Sequence, residues 1–82
     1  MALKYEIKDF IDVDSTKKVG LIVTDEQNHA YIVDKYIDLV DGKTDEQYVQ
    51  DAITESQDQI NTWQASFAHV GQTFNPDTGS FE

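Results

Sequence analysis

The sequence predicts an α+β fold: an antiparallel sheet of three main strands, one long helix packed across it, and a short terminal β-hairpin. Three observations predict it. Through the N-terminal half, apolar and polar residues alternate with the period of two that suits a half-buried strand. From Thr44 onward the apolar spacing becomes helical, behind an N-capping signal. The connections are short, which favours antiparallel neighbours. The 82 residues are read as a single domain, residues 1–82, near the lower size limit for a self-sufficient apolar core.

In the first strand Leu3, Tyr5 and Ile7 alternate with Lys4, Glu6 and Lys8. Phe10, Ile11 and Val13 then break the phase, and a bulge or bend near Asp9 is the simplest repair. Ser15-Thr16-Lys17 reads as a turn. A second strand, Lys18 to Asp25, carries Val19, Leu21 and Val23 on one face. Ile22 on its other face suggests cover on both sides, and Gly20 inside it suggests close approach of a neighbour. Glu26 to His29 is a loop of hairpin length. The third strand, Ala30 to Val40, shows Tyr31, Val33, Ile37 and Leu39 on one face, interrupted by Lys35. Asp41-Gly42 closes the section as a turn.

Thr44 and Gln47 fit the two positions of a capping box, with Asp45 and Glu46 in the first turn, where the helix dipole favours acids. The spacing predicts one helix from about Asp45 to about His69, roughly 35 Å long at 1.5 Å per residue. Gly71 is placed to end it. Its apolar stripe is Val49, Ile53, Ile60, Trp63 and Phe67, with Ser56 filling one place. Packing on the sheet is the simpler use of this heptad-like seam; a helix-mediated dimer is the sharper one. Beyond the helix, Asn75-Pro76-Asp77-Thr78-Gly79 is a tight turn that sets Phe74 and Phe81 across a small hairpin.

Composition excludes several function classes. Without cysteine there are no disulfides, thiolate nucleophiles or cysteine-based metal sites. The net charge is −10, and all six basic residues are lysines. Arginine is the usual bidentate reader of phosphate and guanine, so direct nucleic-acid binding is not expected. No apolar run spans a bilayer, and the N-terminus MALKYEIKDF carries charges where a signal peptide needs an apolar stretch. The expectation is a chain that is cytoplasmic at synthesis, with no membrane contact.

No catalytic, cofactor or metal site is legible. Asp9, Asp12 and Asp14 lack the glycine and later glutamate of a calcium loop. His29 and His69 have no second histidine at ligand spacing. Charge is lopsided: residues 1–43 hold nine acids and six lysines, whereas residues 44–82 hold seven acids and no lysine. On the helix Asp51 and Glu55 are four apart, and Glu55 and Asp58 three apart. Each such like-charge pair costs about 0.2–0.5 kcal/mol. Asp51, Glu55 and Asp58 are therefore the candidate partner-facing acidic surface; a merely solvated face is the plainer reading.

The closing stretch VGQTFNPDTGSF resembles the endings of small, mostly uncharacterised structural and accessory proteins of tailed bacteriophages, marine ones especially. Val70, Gly71, Thr73, Phe74, Asn75, Pro76, Thr78, Gly79 and Phe81 carry the likeness. The resemblance implies a phage-encoded structural or accessory protein, with virion association, and brings no functional residues to this chain. The expected function is accordingly non-enzymatic and exerted through protein–protein contact, with a partner protein, a homo-oligomer, or both. The alternative is an acidic mimic of DNA that inhibits a host nucleic-acid-binding protein. Any self-contact is expected through the sheet or the hairpin, because the acidic helix face repels a copy of itself.

Overall fold

The computed structural model describes residues 2–82. Strands β1 (Lys4–Val13), β2 (Thr16–Thr24) and β3 (Ala30–Asp38) form an antiparallel sheet in the order β1-β2-β3. The β1–β2 register shifts between Ile7 and Asp9, so Lys8 is the extra residue of the expected bulge. Asp14, with φ of 54°, makes the β1–β2 turn, and Asn28, with φ of 66°, sits in the β2–β3 turn. β3 ends at Asp38, short of the expected Val40, because its partner β2 begins opposite it at Thr16; beyond that pair the Leu39 N–H still reaches the Ser15 carbonyl.

The register divides the side chains between two faces. Val19, Leu21, Val23, Val33 and Ile37 lie on one face and are buried. Among the described residues no element lies over the opposite face, and Ile32 there is 59% exposed. Ile22 is half-buried on that open side, so β2 is covered on one face only, contrary to the sequence expectation.

Two helices, not one, cover the packed face: α1 (Asp45–Glu55) and α2 (Gln57–Ala65), joined at Ser56. The capping box forms as expected. Thr44 Oγ1 accepts from the Gln47 N–H at 3.2 Å, and Gln47 Oε1 accepts from the Thr44 N–H at 2.9 Å. The break follows from what each half buries. Tyr48 and Ala52 of α1 pack on Val19, Leu21 and Ile37, while Ile60 of α2 packs on Val23 and Val33. A straight rod cannot follow both patches of a twisted sheet. Ser56 lies between them, fully buried, at φ −94° and ψ 0°, and its N–H is shared between the Ala52 and Ile53 carbonyls. Its hydroxyl has no hydrogen-bond partner among the described residues. Nor does α2 reach His69. Ser66 Oγ donates to the Trp63 carbonyl at 2.6 Å, and the N–H groups of Phe67 and Ala68 bond three residues back. Gly71, at φ 90°, ends this run of turns instead of a helix.

The core face of the helices is also rotated from the expected stripe. Tyr48, Ala52, Ser56 and Ile60 are buried, with Val49 and Ile53 half-buried on the flank toward β1. α1 lies over β2 and β3, leaving the inward residues of β1 short of cover: Tyr5 is 36% exposed and Ile7 47%. Tyr48 ties the layers together, its hydroxyl accepting from the Val40 N–H at 3.0 Å and donating to the Val40 carbonyl at 3.2 Å.

The terminal hairpin, β4 (Phe74–Asn75) and β5 (Ser80–Phe81), forms as the turn residues require. Asn75 Oδ1 accepts from the Asp77 N–H, and Gly79 takes φ 70°. His69, ahead of the hairpin, stacks on Phe81 at 4.0 Å, and Phe74 lies edge-on to Phe81 at 5.3 Å. The molecule measures 60 × 19 × 17 Å, about twice the ~30 Å length of a nine-residue strand.

Truncating the fully buried Ile60 to alanine is expected to cost about 2–5 kcal/mol in denaturant unfolding. Ser56→Ala removes an unpartnered buried hydroxyl and is expected to stabilise by about 1–3 kcal/mol; a loss of stability would mean that the break at Ser56 relies on that hydroxyl.

Candidate functional site: the open sheet face

Strand alternation and the Lys8 bulge assign the open face row by row. Its rows are Lys4, Thr24 and Ala30; then Glu6, Ile22 and Ile32; then Asp9, Gly20 and Asp34; then Ile11, Lys18 and Tyr36; and last Val13, Thr16 and Asp38. The centre is polar. Lys8 Nζ lies 2.5 Å from Asp9 Oδ2 and 3.1 Å from Asp34 Oδ1, and Lys18 Nζ lies 3.5 Å from Asp9 Oδ2. Gly20 is what lets these carboxylates lie flat. A Cβ built there would stand 2.8 Å from Asp34 Oδ1 and 2.9 Å from Asp9 Oδ2, so the close approach expected at Gly20 is by acidic side chains from both neighbouring strands. The hydrogen bond from Lys8 holds the Asp9 carboxyl below its ordinary value, and Asp9 and Asp34 together raise the Lys8 ammonium.

The row on each side of this centre carries two apolar side chains and one charged one. Ile11 and Tyr36 are each 54% exposed and flank Lys18 in one row, and Ile32 stands beside half-buried Ile22 on the far side of the ion pairs. The face carries Lys4, Lys8 and Lys18 against Glu6, Asp9, Asp34 and Asp38, near balance in a chain of net charge −10. An apolar surface with a charge-balanced centre suits protein contact.

The other sequence candidates are dispersed. Asp9 is on the open face with Lys8 and Lys18, Asp12 is on the helix-bearing face and pairs with Lys17 at 2.6 Å, and Asp14 is in the turn. Among the described residues no group of three or more histidines and carboxylates converges on a metal-sized site. Of the acidic helix face, Asp51 forms an ion pair with Lys43, while Glu55 and Asp58 stand exposed on opposite sides of the Ser56 break. His69 stacks on the hairpin.

Sequence reasoning missed the surroundings of His29. Its ring stacks on Phe67 at 3.9 Å, and Trp63 meets Phe67 edge-on at 5.7 Å. His29 Nδ1 donates to Asp25 Oδ2 at 2.7 Å, and Asp25 Oδ1 accepts the N–H groups of Gln27 and His29. The Asp25 side chain is only 6% exposed. The available signal was an Asp that closes a turn four residues before a His. The pair anchors the β2–β3 loop to Phe67, in the turns that follow α2; the Ser66 hydroxyl is spent on the Trp63 carbonyl.

Among the described residues no helix is long and apolar enough to cross a membrane. Comparison with protein-family models, curated proteins and solved structures yields no match.

Burial pushes the Asp25 carboxyl up, but hydrogen bonds from the His29 ring and from the N–H groups of His29 and Gln27 outweigh it and hold the group below its ordinary 3.8. A carboxyl lowered in the folded state stabilises above its unfolded value, and that contribution is lost as pH falls through the folded value. Melting temperature measured from neutral to strongly acid pH is expected to fall less in Asp25→Asn than in the wild type below about pH 4. Parallel curves would remove Asp25 from the acid-sensitive set.

Proposed function

We propose that this chain is a non-enzymatic structural or accessory protein that works through protein–protein contact, and that the open sheet face is where it meets a second copy of itself. Exposed Ile11 and Tyr36, flanking half-buried Lys18 beside the ion-paired centre, carry the reading. Charge argues for a second copy. Residues 44–82 hold seven acids and no lysine, so helix-to-helix contact between copies sets acid against acid. The near-balanced sheet face can be turned about a two-fold axis onto itself so that lysine meets carboxylate.

Size supports a modest affinity. Three strands of this length give a footprint of roughly 30 by 14 Å. Two such faces stacked about 10 Å apart bury on the order of 1,000 Å² in total, the low end for specific interfaces. The phage origin and virion association rest on the resemblance of the terminal hairpin. The DNA-mimic alternative has less support: with Asp51 paired to Lys43, only Glu55 and Asp58 of that face are left, too few to trace a phosphate backbone.

Sedimentation velocity through the micromolar range tests this reading. The wild type is expected to dimerise, and Ile11→Ser/Tyr36→Ser, which leaves charge unchanged at two exposed positions, to weaken the dimer about tenfold or more. A strictly monomeric wild type, or a double variant that dimerises equally well, overturns the self-contact.

A further inference from the structure

A second surface lies on the other side of the sheet, independent of the open face. α1 lies over β2 and β3, and beside it Ile7 and Phe10 of β1 and Val49 and Ile53 of α1 line an apolar groove of about 380 Å³. Asp45, Glu46 and Gln50 form its polar rim. The groove exists for a steric reason. A helix is about 10 Å across and a three-stranded sheet roughly 14 Å wide, so one helical layer leaves about one strand bare. The bare strand is β1, and Ile7 there is 47% exposed.

We infer that this groove is a docking site for a basic amphipathic helix of a heterologous partner protein. Geometry selects a helix. A strand added to the free edge of β1 would extend the sheet sideways and leave the upper surface of Ile7 wet. An element lying on β1 alongside α1 covers it and completes the helical layer. The run from Tyr5 to Phe10, exposed at Tyr5 and Ile7 and half-buried at Phe10, is about 17–20 Å long, which matches three to four helical turns. Apolar residues at i, i+3 or i+4, and i+7 of such a helix meet Ile7, Phe10, Val49 and Ile53.

Charge selects the sign of the partner. Neither Asp45 nor Glu46 forms an ion pair with a lysine among the described residues; Asp45 acts on Lys17 only from a distance, and Lys17 is held by Asp12 at 2.6 Å. Lysines or arginines flanking the partner's apolar stripe meet this rim. The chain's own candidate occupants carry the wrong charge: α1 and α2 contain no lysine, and the hairpin segment contributes Asp77 and Glu82. A second copy is thereby disfavoured here, although the open sheet face suits one.

The probe is a fluorescein-labelled amphipathic peptide of leucine and lysine with leucines at i, i+3, i+4 and i+7, titrated with the full chain by fluorescence anisotropy. Its counterpart replaces every lysine with glutamate. The lysine peptide is expected to bind, and Ile7→Ser to weaken it about tenfold with no change in charge. Asp45→Asn/Glu46→Gln is expected to weaken it and reduce its salt dependence, while Ile11→Ser/Tyr36→Ser on the open face leaves it unchanged. Circular dichroism checks that Ile7→Ser folds. Amide shift mapping on the wild type gives a second readout, expected around Ile7, Phe10, Val49 and Ile53. Absence of binding, equal binding by Ile7→Ser that has folded, equal binding of the glutamate peptide, or shifts centred on Ile11 and Tyr36 each overturn the inference.

Discussion

Val19, Leu21 and Val23, the inward residues of β2, are fully buried beneath a single helical layer, and the architecture follows from that burial. At this size there is material for one layer over one face and no more. The helical layer must serve two apolar patches, one around Leu21 and Ile37 and one around Val23 and Val33. That divides it into α1 and α2 at Ser56. Placed over β2 and β3, it leaves β1 half covered on one side and the whole sheet uncovered on the other. Both proposed contact surfaces are therefore consequences of the same shortage of cover.

The ion pairs of the open face are better understood as surface chemistry than as stabilisation. Exposed lysine–carboxylate pairs are each worth about 0–1 kcal/mol. Lys8, Asp9, Lys18 and Asp34 instead divide the apolar surface into an Ile22–Ile32 side and an Ile11–Tyr36 side. Charges set into an exposed sheet limit indiscriminate pairing. A face interrupted in this way accepts a partner that answers its charges and resists one that does not. Gly20 makes the arrangement possible by leaving room for two carboxylates over the backbone. The Asp25–His29 pair works at the other side of the fold, anchoring the β2–β3 loop through the His29–Phe67 stack.

Features decided by neighbours in sequence were legible. The slip of phase before Phe10 marked the bulge, Thr44 and Gln47 marked the helix start, and Asn75 to Gly79 marked the hairpin. Gly20 announced a close neighbour without saying which. Features decided by tertiary packing were not legible. Helical periodicity runs through Ser56 unbroken, and only the two separate patches beneath it require a break. Ala52 is too small to stand out in a stripe, and Tyr48 carries a hydroxyl, yet these two face the sheet while Val49 and Ile53 flank it. The acidic residues drew attention to the helices because charge is countable in a sequence. The open face was harder to see: Ile11, Ile32 and Tyr36 lie on different strands and meet only through register.

Amide chemical shifts followed on dilution from millimolar to low micromolar concentration locate self-contact between copies as well as detect it. Contact through the open sheet face gives concentration-dependent shifts at Ile11, Lys18, Ile32 and Tyr36, with Glu55 and Asp58 unmoved. Shifts confined to α1 and α2, or a spectrum that does not change on dilution, would contradict it.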